Sequence, residues 1–255
     1  MKTIKLTVWF IMFMIFSITA ISQETANKAI SHLKVKRLND SYIDVYHNKP
    51  IKDKIPILIF CQGSGYDSNT EGFLGVIRQF ESLVVGLAIE KQGVKFGDTG
   101  YKLTQEYIDN NTVQNRLHDY LRVLQHLRTN VDWWNEEIYI IGGSEGGLLA
   151  GMLACYYPNV KGLSIFSFGG GLNFAEAWPI SSGLQVQADG ATEDEIENKV
   201  NVVKDSLELI RKEPTFYKTY SGADNTYAWW NSIMNLRLEN CLLDLNVPIY
   251  LAQVS

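Results

Sequence analysis

The chain is short of cysteine, short of positive charge and empty of histidine in its second half. Each shortage excludes something. Three cysteines in 255 residues, Cys61, Cys155 and Cys241, are too few and too scattered for a disulfide framework or a zinc site. Cys61 and Cys155 lie inside apolar runs and read as small buried hydrophobes. In an exported protein two of the three can still pair, and the sequence does not say which. The formal net charge is −5, and an acidic surface argues against nucleic acid as a partner, because phosphate binding needs clustered cations. Internal repeats and low-complexity segments are both missing. With 46% hydrophobic and 20% charged residues, the composition is that of an ordinary globular protein.

The first residues carry Lys2 and Lys5, then an apolar run from Leu6 to Ile21, then small residues at Ala20 and Ser22. A positive start, an apolar middle and a small-residue exit predict a secretory signal peptide over residues 1–22, with the mature chain beginning near Gln23. The alternative is an uncleaved anchor, which is the only way a membrane enters this reading, since the run falls slightly short of the ~20 residues a spanning helix needs. The expected location is secreted or periplasmic. The remaining residues, 23–255, fit one large domain better than two.

Past the leader, "LKVKRL" and "YIDVYH" alternate apolar and polar residues around Asn39-Asp40, which predicts an antiparallel hairpin. From there the pattern changes. Ile57–Phe60, Leu83–Ile89, Ile138–Ile141 and Leu163–Phe168 are nearly continuous apolar runs, as expected of strands buried on both faces of a parallel sheet. Between two of them, "TVQNRLHDYLRVLQHL" places Val113, Leu117, Tyr120, Leu121, Leu124 and Leu127 on one helical face, with Asn111 or Thr112 able to cap its start. Strands alternating with helices imply an α/β fold with a doubly wound, mostly parallel sheet. Its ligands bind at the carboxyl ends of the strands. Residues 172–239 are mostly polar, with the acidic run "TEDEIENK", a helical run after it and an aromatic stretch containing Trp229 and Trp230. They read as a helical cap inserted over the rim, whose aromatics pack it down, before a last strand in "VPIYLAQVS".

Gly142-Gly143-Ser144-Glu145-Gly146 matches G-x-S-x-G between a strand and a small-residue helix. A side chain presented at so sharp a turn needs strained backbone, and the residues two before and two after it, Gly142 and Gly146, must be nearly bare. The pattern predicts Ser144 as a nucleophile beside a helix amino terminus that favours a developing negative charge. A phosphate loop fails because Leu148 stands where its lysine belongs, and a dinucleotide fingerprint starting at Gly63 fails because Ser68 replaces its third glycine. No cofactor or metal is implied. The turn "CQGSG" comes after an earlier buried strand. Acyl transfer needs two backbone N–H donors facing an oxyanion, and the positions predict the N–H of Glu145 and that of Ser64.

The series from "IPILIFCQGSG" through "GGSEGG" to "VPIYLAQVS" resembles the serine alpha/beta-hydrolase family, most of all its esterase, acyl thioesterase and prolyl-peptidase-like branches. The likeness covers nearly all of the chain after the leader. It implies Ser144 as nucleophile, Ser64 and Glu145 as oxyanion donors, and a small-molecule or peptide acyl substrate. It also implies an acid after a late strand and a histidine later still. Here the chain departs from the pattern: His32, His47, His118 and His126 all precede Ser144. An unassisted serine hydroxyl is a poor nucleophile. The expectation is therefore a hydrolase whose last strands, acid and histidine fall beyond Ser255. The alternatives are a catalytically inactive, ligand- or partner-binding relative, or an upstream histidine standing in. Glu145 is read as orienting the elbow or touching substrate, and Tyr101 or Tyr107 as lining the site.

Overall fold

The computed structural model describes residues 30–252 apart from residues 71–72, 74–76, 78–79, 101–102, 168–170 and 220–224. The expected leader, the start near Gln23, Tyr101 and Phe168 lie outside the described residues. Seven strands form one sheet: β1 (Ile30–Lys36), β2 (Tyr42–Asn48), β3 (Ile55–Cys61), β4 (Val85–Ile89), β5 (Trp134–Gly143), β6 (Val160–Phe166) and β7 (Ile249–Ala252). Their spatial order is β1-β2-β4-β3-β5-β6-β7. The hairpin β1–β2 joins β4 antiparallel, and all other pairs are parallel.

The apolar runs explain why the sheet sits inside. In β4 every residue is buried, and Ile57, Ile59, Leu87 and Ile138 are wholly inaccessible. One face packs on helices α2 (Val113–Asn130) and α3 (Glu145–Tyr156), the other on a smaller cluster around Phe73 and Ile77. Thr112 caps α2 by accepting from the Asn115 N–H. A short helix, α1 (Gln105–Asn110), precedes it. Among the described residues no helix is long and apolar enough to cross a membrane.

Among the described residues four helices lie between β6 and β7: α4 (Phe174–Ala188), α5 (Glu193–Lys212), α6 (Tyr227–Ile233) and α7 (Glu239–Asp244). The acidic run is part of α5 itself. It forms the first turns of that helix, because Thr192 and Glu195 make a reciprocal capping box and three acidic residues favour the positive end of the helix dipole. The aromatics of this segment pack on one another: Trp178 and Trp230 stack with ring centroids 4.8 Å apart, and Trp229 meets Trp230 edge-on.

One cysteine expectation is corrected. Cys61 is buried and free, and burial pushes its thiol up to about 12. Cys155, however, is no free hydrophobe: it is bonded to Cys241, 86 residues on, tying the end of α3 to α7. The pairing was illegible because it depends on α7 folding back beside α3. Closing so long a loop removes entropy from the unfolded chain. Cys241→Ser is expected to cost about 2–4 kcal/mol, read as a lowered urea midpoint that a reducing agent reproduces in the unmodified chain.

Candidate active site

The carboxyl ends of β4, β3, β5 and β6 lie side by side, and strand register sets which loops leave them as neighbours. Cys61 pairs with Gly142, and Gly143 with Phe166. The loop after β3 therefore emerges beside the turn after β5. Ser144 stands at that turn, exposed, with φ 54° and ψ −127°. A non-glycine residue there is strained and persists only where its surroundings hold it. They do so here by a bond from the Ser144 N–H to the Phe166 carbonyl (3.0 Å) and by two further bonds from Gly147 and Leu148 to the Ser144 carbonyl. Helix α3 then starts at Glu145, whose N–H, in the first turn, has no partner within the helix.

The two glycines of the pattern are where α3 crosses closest to the sheet. A Cβ on Gly142 would lie 2.1 Å from the Gly146 carbonyl oxygen, and one on Gly146 would lie 1.9 Å from that of Cys61. Gly63 rests against the elbow: a Cβ built there would be 3.7 Å from the Cβ of Ser144. Ser64, next in the chain, is half-buried. The structure thus brings Gly142, Ser144, Glu145 and Gly146 together with the loop that carries Ser64.

Glu145 is placed more specifically than the sequence allowed. Its side chain is buried and pairs with Arg116 of α2 at 2.6 Å. Burial works against the carboxylate, but Arg116 and, behind it, Lys91 outweigh burial and hold its pKa below the ordinary 4.5. The other arm of Arg116 donates to the Gln62 carbonyl at 2.6 Å. Lys91, two residues past β4, is 5% exposed and donates to the carbonyls of Gly63, at 2.6 Å, and Gly65. Burial pulls its ammonium down to about 7, Arg116 pushes the same way, and Glu145, Asp67 and Glu90 pull it back. Tyr107 is not a lining residue: it is buried, and its hydroxyl donates to the Ser64 carbonyl at 3.3 Å.

Sequence reasoning missed Arg116 and Lys91. Arg116 did leave a signal, as a charge inside the apolar face that runs from Val113 through Leu117 and Tyr120. Lys91 left only its position after a strand.

None of the four histidines hydrogen-bonds Ser144. His32 on β1 pairs with Asp44 at 2.7 Å. His47 on β2 is buried, bonded to the Asn48 carbonyl and packed on Trp133. His118 is exposed on α2, and His126 lies beside Asn130. An apolar hollow of about 460 Å³ lies elsewhere, between α7, β6 and β7, lined by Leu238, Leu242 and Leu251 among others, and neither Ser144 nor Ser64 borders it. Among the described residues no cluster of three metal-ligating side chains occurs.

No protein-family model and no curated protein sequence matches the chain. Solved structures do. The alpha/beta hydrolase GrgF from Penicillium sp. sh18 aligns with a TM-score of 0.54 at 10% identity, over 89% of this chain and 90% of that one. An esterase from Pyrococcus furiosus aligns with a TM-score of 0.52 at 13% identity, over 91% and 73%. Proline iminopeptidase from Mycobacterium smegmatis gives 0.51 at 17% identity, over 87% and 80%. With its strand order, its hairpin and these likenesses, the chain has the fold of the alpha/beta hydrolases.

Proposed function

We propose that the chain is an exported serine hydrolase that forms an acyl-enzyme on Ser144 and passes the acyl group to water. One observation carries this: Ser144 is exposed on a strained β5–α3 turn between Gly142 and Gly146, at the carboxyl end of a parallel strand, as a presented nucleophile requires. Attack of its oxygen on a carbonyl carbon, with the hydroxyl proton passing to the histidine this reading requires, forms a tetrahedral oxyanion stabilised by the N–H groups of Glu145 and Ser64. Collapse breaks the C–O, C–S or C–N bond, and the same proton leaves with the alcohol, thiol or amine. An ester, thioester or amide is the substrate class. Neighbours of this fold include an esterase and a proline iminopeptidase, which supports hydrolysis without choosing the bond. Helices α4 to α6 are read as the cap over the rim.

Export is supported by the Cys155–Cys241 disulfide, since such bonds persist in oxidising compartments. The positions of the four histidines bear on mechanism. As none touches Ser144, the reading includes an acid and a histidine supplied from outside these 255 residues. The same observation favours a second reading, in which the cleft binds an acyl ligand or a partner without chemistry.

Labelling with a fluorophosphonate probe separates the two. A hydrolase is expected to label at Ser144, with Ser144→Ala unlabelled, and sequencing downstream of codon 255 is expected to show an Asp and then a His. If neither this chain nor one extended by its downstream codons labels, the ligand-binding reading stands instead.

A further inference from the structure

Four consecutive carbonyls of the loop after β3 are held from inside. Gln62 accepts from Arg116, Gly63 and Gly65 from Lys91, and Ser64 from the Tyr107 hydroxyl. These donors come from three separate places: α2, the residue pair after β4, and α1. A trans peptide is planar, so its C=O and the next residue's N–H point in opposite directions. Holding the carbonyls of residues 62 to 65 on these donors therefore turns the N–H groups of Gly63, Ser64, Gly65 and Tyr66 away from the donors, and the same loop lies against the elbow, where a Cβ built on Gly63 would be 3.7 Å from the Cβ of Ser144. Through Glu145 the same Arg116 is also fixed to the first residue of α3, so one guanidinium ties the oxyanion loop to the elbow.

We propose that Lys91, Arg116 and Tyr107 are positioning residues, which hold the loop carbonyls inward and thereby aim its amides at the Ser144 oxygen. This rests on reading Ser144 as the nucleophile. A buried lysine is an expensive tether, since its ammonium must be stripped of water. A loop that needed only satisfied carbonyls would obtain them from backbone or solvent. Here two cations stand within one cluster despite their mutual repulsion, with Glu145, Glu90 and Asp67 facing Lys91 to offset it. The added consequence is electrostatic: the positive charge lies behind the amides, where it favours an oxyanion in front of them.

The test uses the full chain. Backbone 15N order parameters of Gly63, Ser64 and Gly65 are measured in the unmodified protein, in Lys91→Met, in Lys91→Arg and in Tyr107→Phe. The rate of fluorophosphonate attachment to Ser144 is measured beside them, at saturating and subsaturating probe. In the unmodified protein the three amides are expected near the rigid value of about 0.85, falling below about 0.6 in Lys91→Met. Lys91→Arg, which keeps the donors, is expected to recover most of that order. The saturating rate is expected to drop about 100-fold in Lys91→Met, as for loss of an oxyanion donor, with half-saturation unchanged. A role in stability alone would leave that rate intact. Should Lys91→Met not fold, Tyr107→Phe decides: the loss of order is then confined to the Ser64–Gly65 peptide, and an unchanged peptide there overturns the proposal. If the unmodified protein labels and Lys91→Met labels equally fast, the positioning role is wrong and the Ser144 reading survives. If neither the unmodified protein nor one extended by its downstream codons labels, the Ser144 reading fails, and the order parameters alone judge the tether: unchanged order in Lys91→Met refutes it.

Discussion

Gly146→Ala is expected to destabilise the protein by about 3 kcal/mol or more, at the top of the range for overpacked interiors, and to abolish labelling of Ser144. The added Cβ would stand 1.9 Å from the Cys61 carbonyl oxygen and 2.7 Å from the carbonyl carbons of both Cys61 and Gln62. All three are backbone atoms, so no rotamer relieves the contact. Restoring a C···O distance of roughly 3.3 Å requires α3 and β3 to part by more than an ångström. Every residue of α3 from Glu145 to Ala154 is buried, so the helix cannot withdraw without opening voids. Because Gln62 begins the loop that carries Ser64, the same shift moves that loop off the elbow. Gly97→Ala is the control. It also places a side chain on a difficult backbone, at φ 84°, but meets nothing within 4 Å, and is expected to cost only about 1–2 kcal/mol. Equal urea midpoints for the two variants would show that close approach is not what the second glycine of the pattern serves.

The second large effect belongs to the buried ion pair. Arg116→Met is expected to cost about 3–5 kcal/mol at pH 7, because Glu145 would be left as a buried charge without its main partner. The carboxyl sets the sign with pH. In the unmodified protein its pKa is held below 4.5, so its contribution to stability is fully present above 4.5 and is lost as pH falls through the lower folded value. Without Arg116 burial dominates and raises the folded pKa above 4.5. The folded state then binds more protons than the unfolded one, and stability falls as pH rises. The deficit of the variant should therefore be smaller at pH 4 than at pH 7. A deficit that grows toward acid would mean the arginine serves something other than this carboxylate. The double variant Arg116→Met, Glu145→Leu is expected to regain much of the stability, as apolar replacements of buried pairs often do. It should not regain fast labelling, since the Gln62 carbonyl still lacks its donor.

Much of the architecture was legible because it rests on local chemistry. Parallel strands announced themselves as short apolar runs, α2 by its apolar face and Thr112 cap, and the elbow by its glycine spacing. Boundaries were less legible. Leu83 and Val84 extend the apolar run before β4, yet the strand begins at Val85, because pairing with Ile57 of β3 starts there. The acidic run was set apart from the helical run after it, since its charges have no apolar period, and the capping box at Thr192 joins the two in one helix.

Sequence alone determined the elements, their alternation, and the serine that a bare-backboned turn presents, because propensity, periodicity and glycine spacing act over a few residues. Only tertiary structure decided what surrounds that serine: which carbonyls Lys91 and Arg116 hold, that Glu145 faces inward, and that Cys155 finds Cys241. Those pairings join residues from 26 to 86 positions apart, and no local pattern encodes them. They depend on how strands order themselves in the sheet and where the helices come to lie upon it.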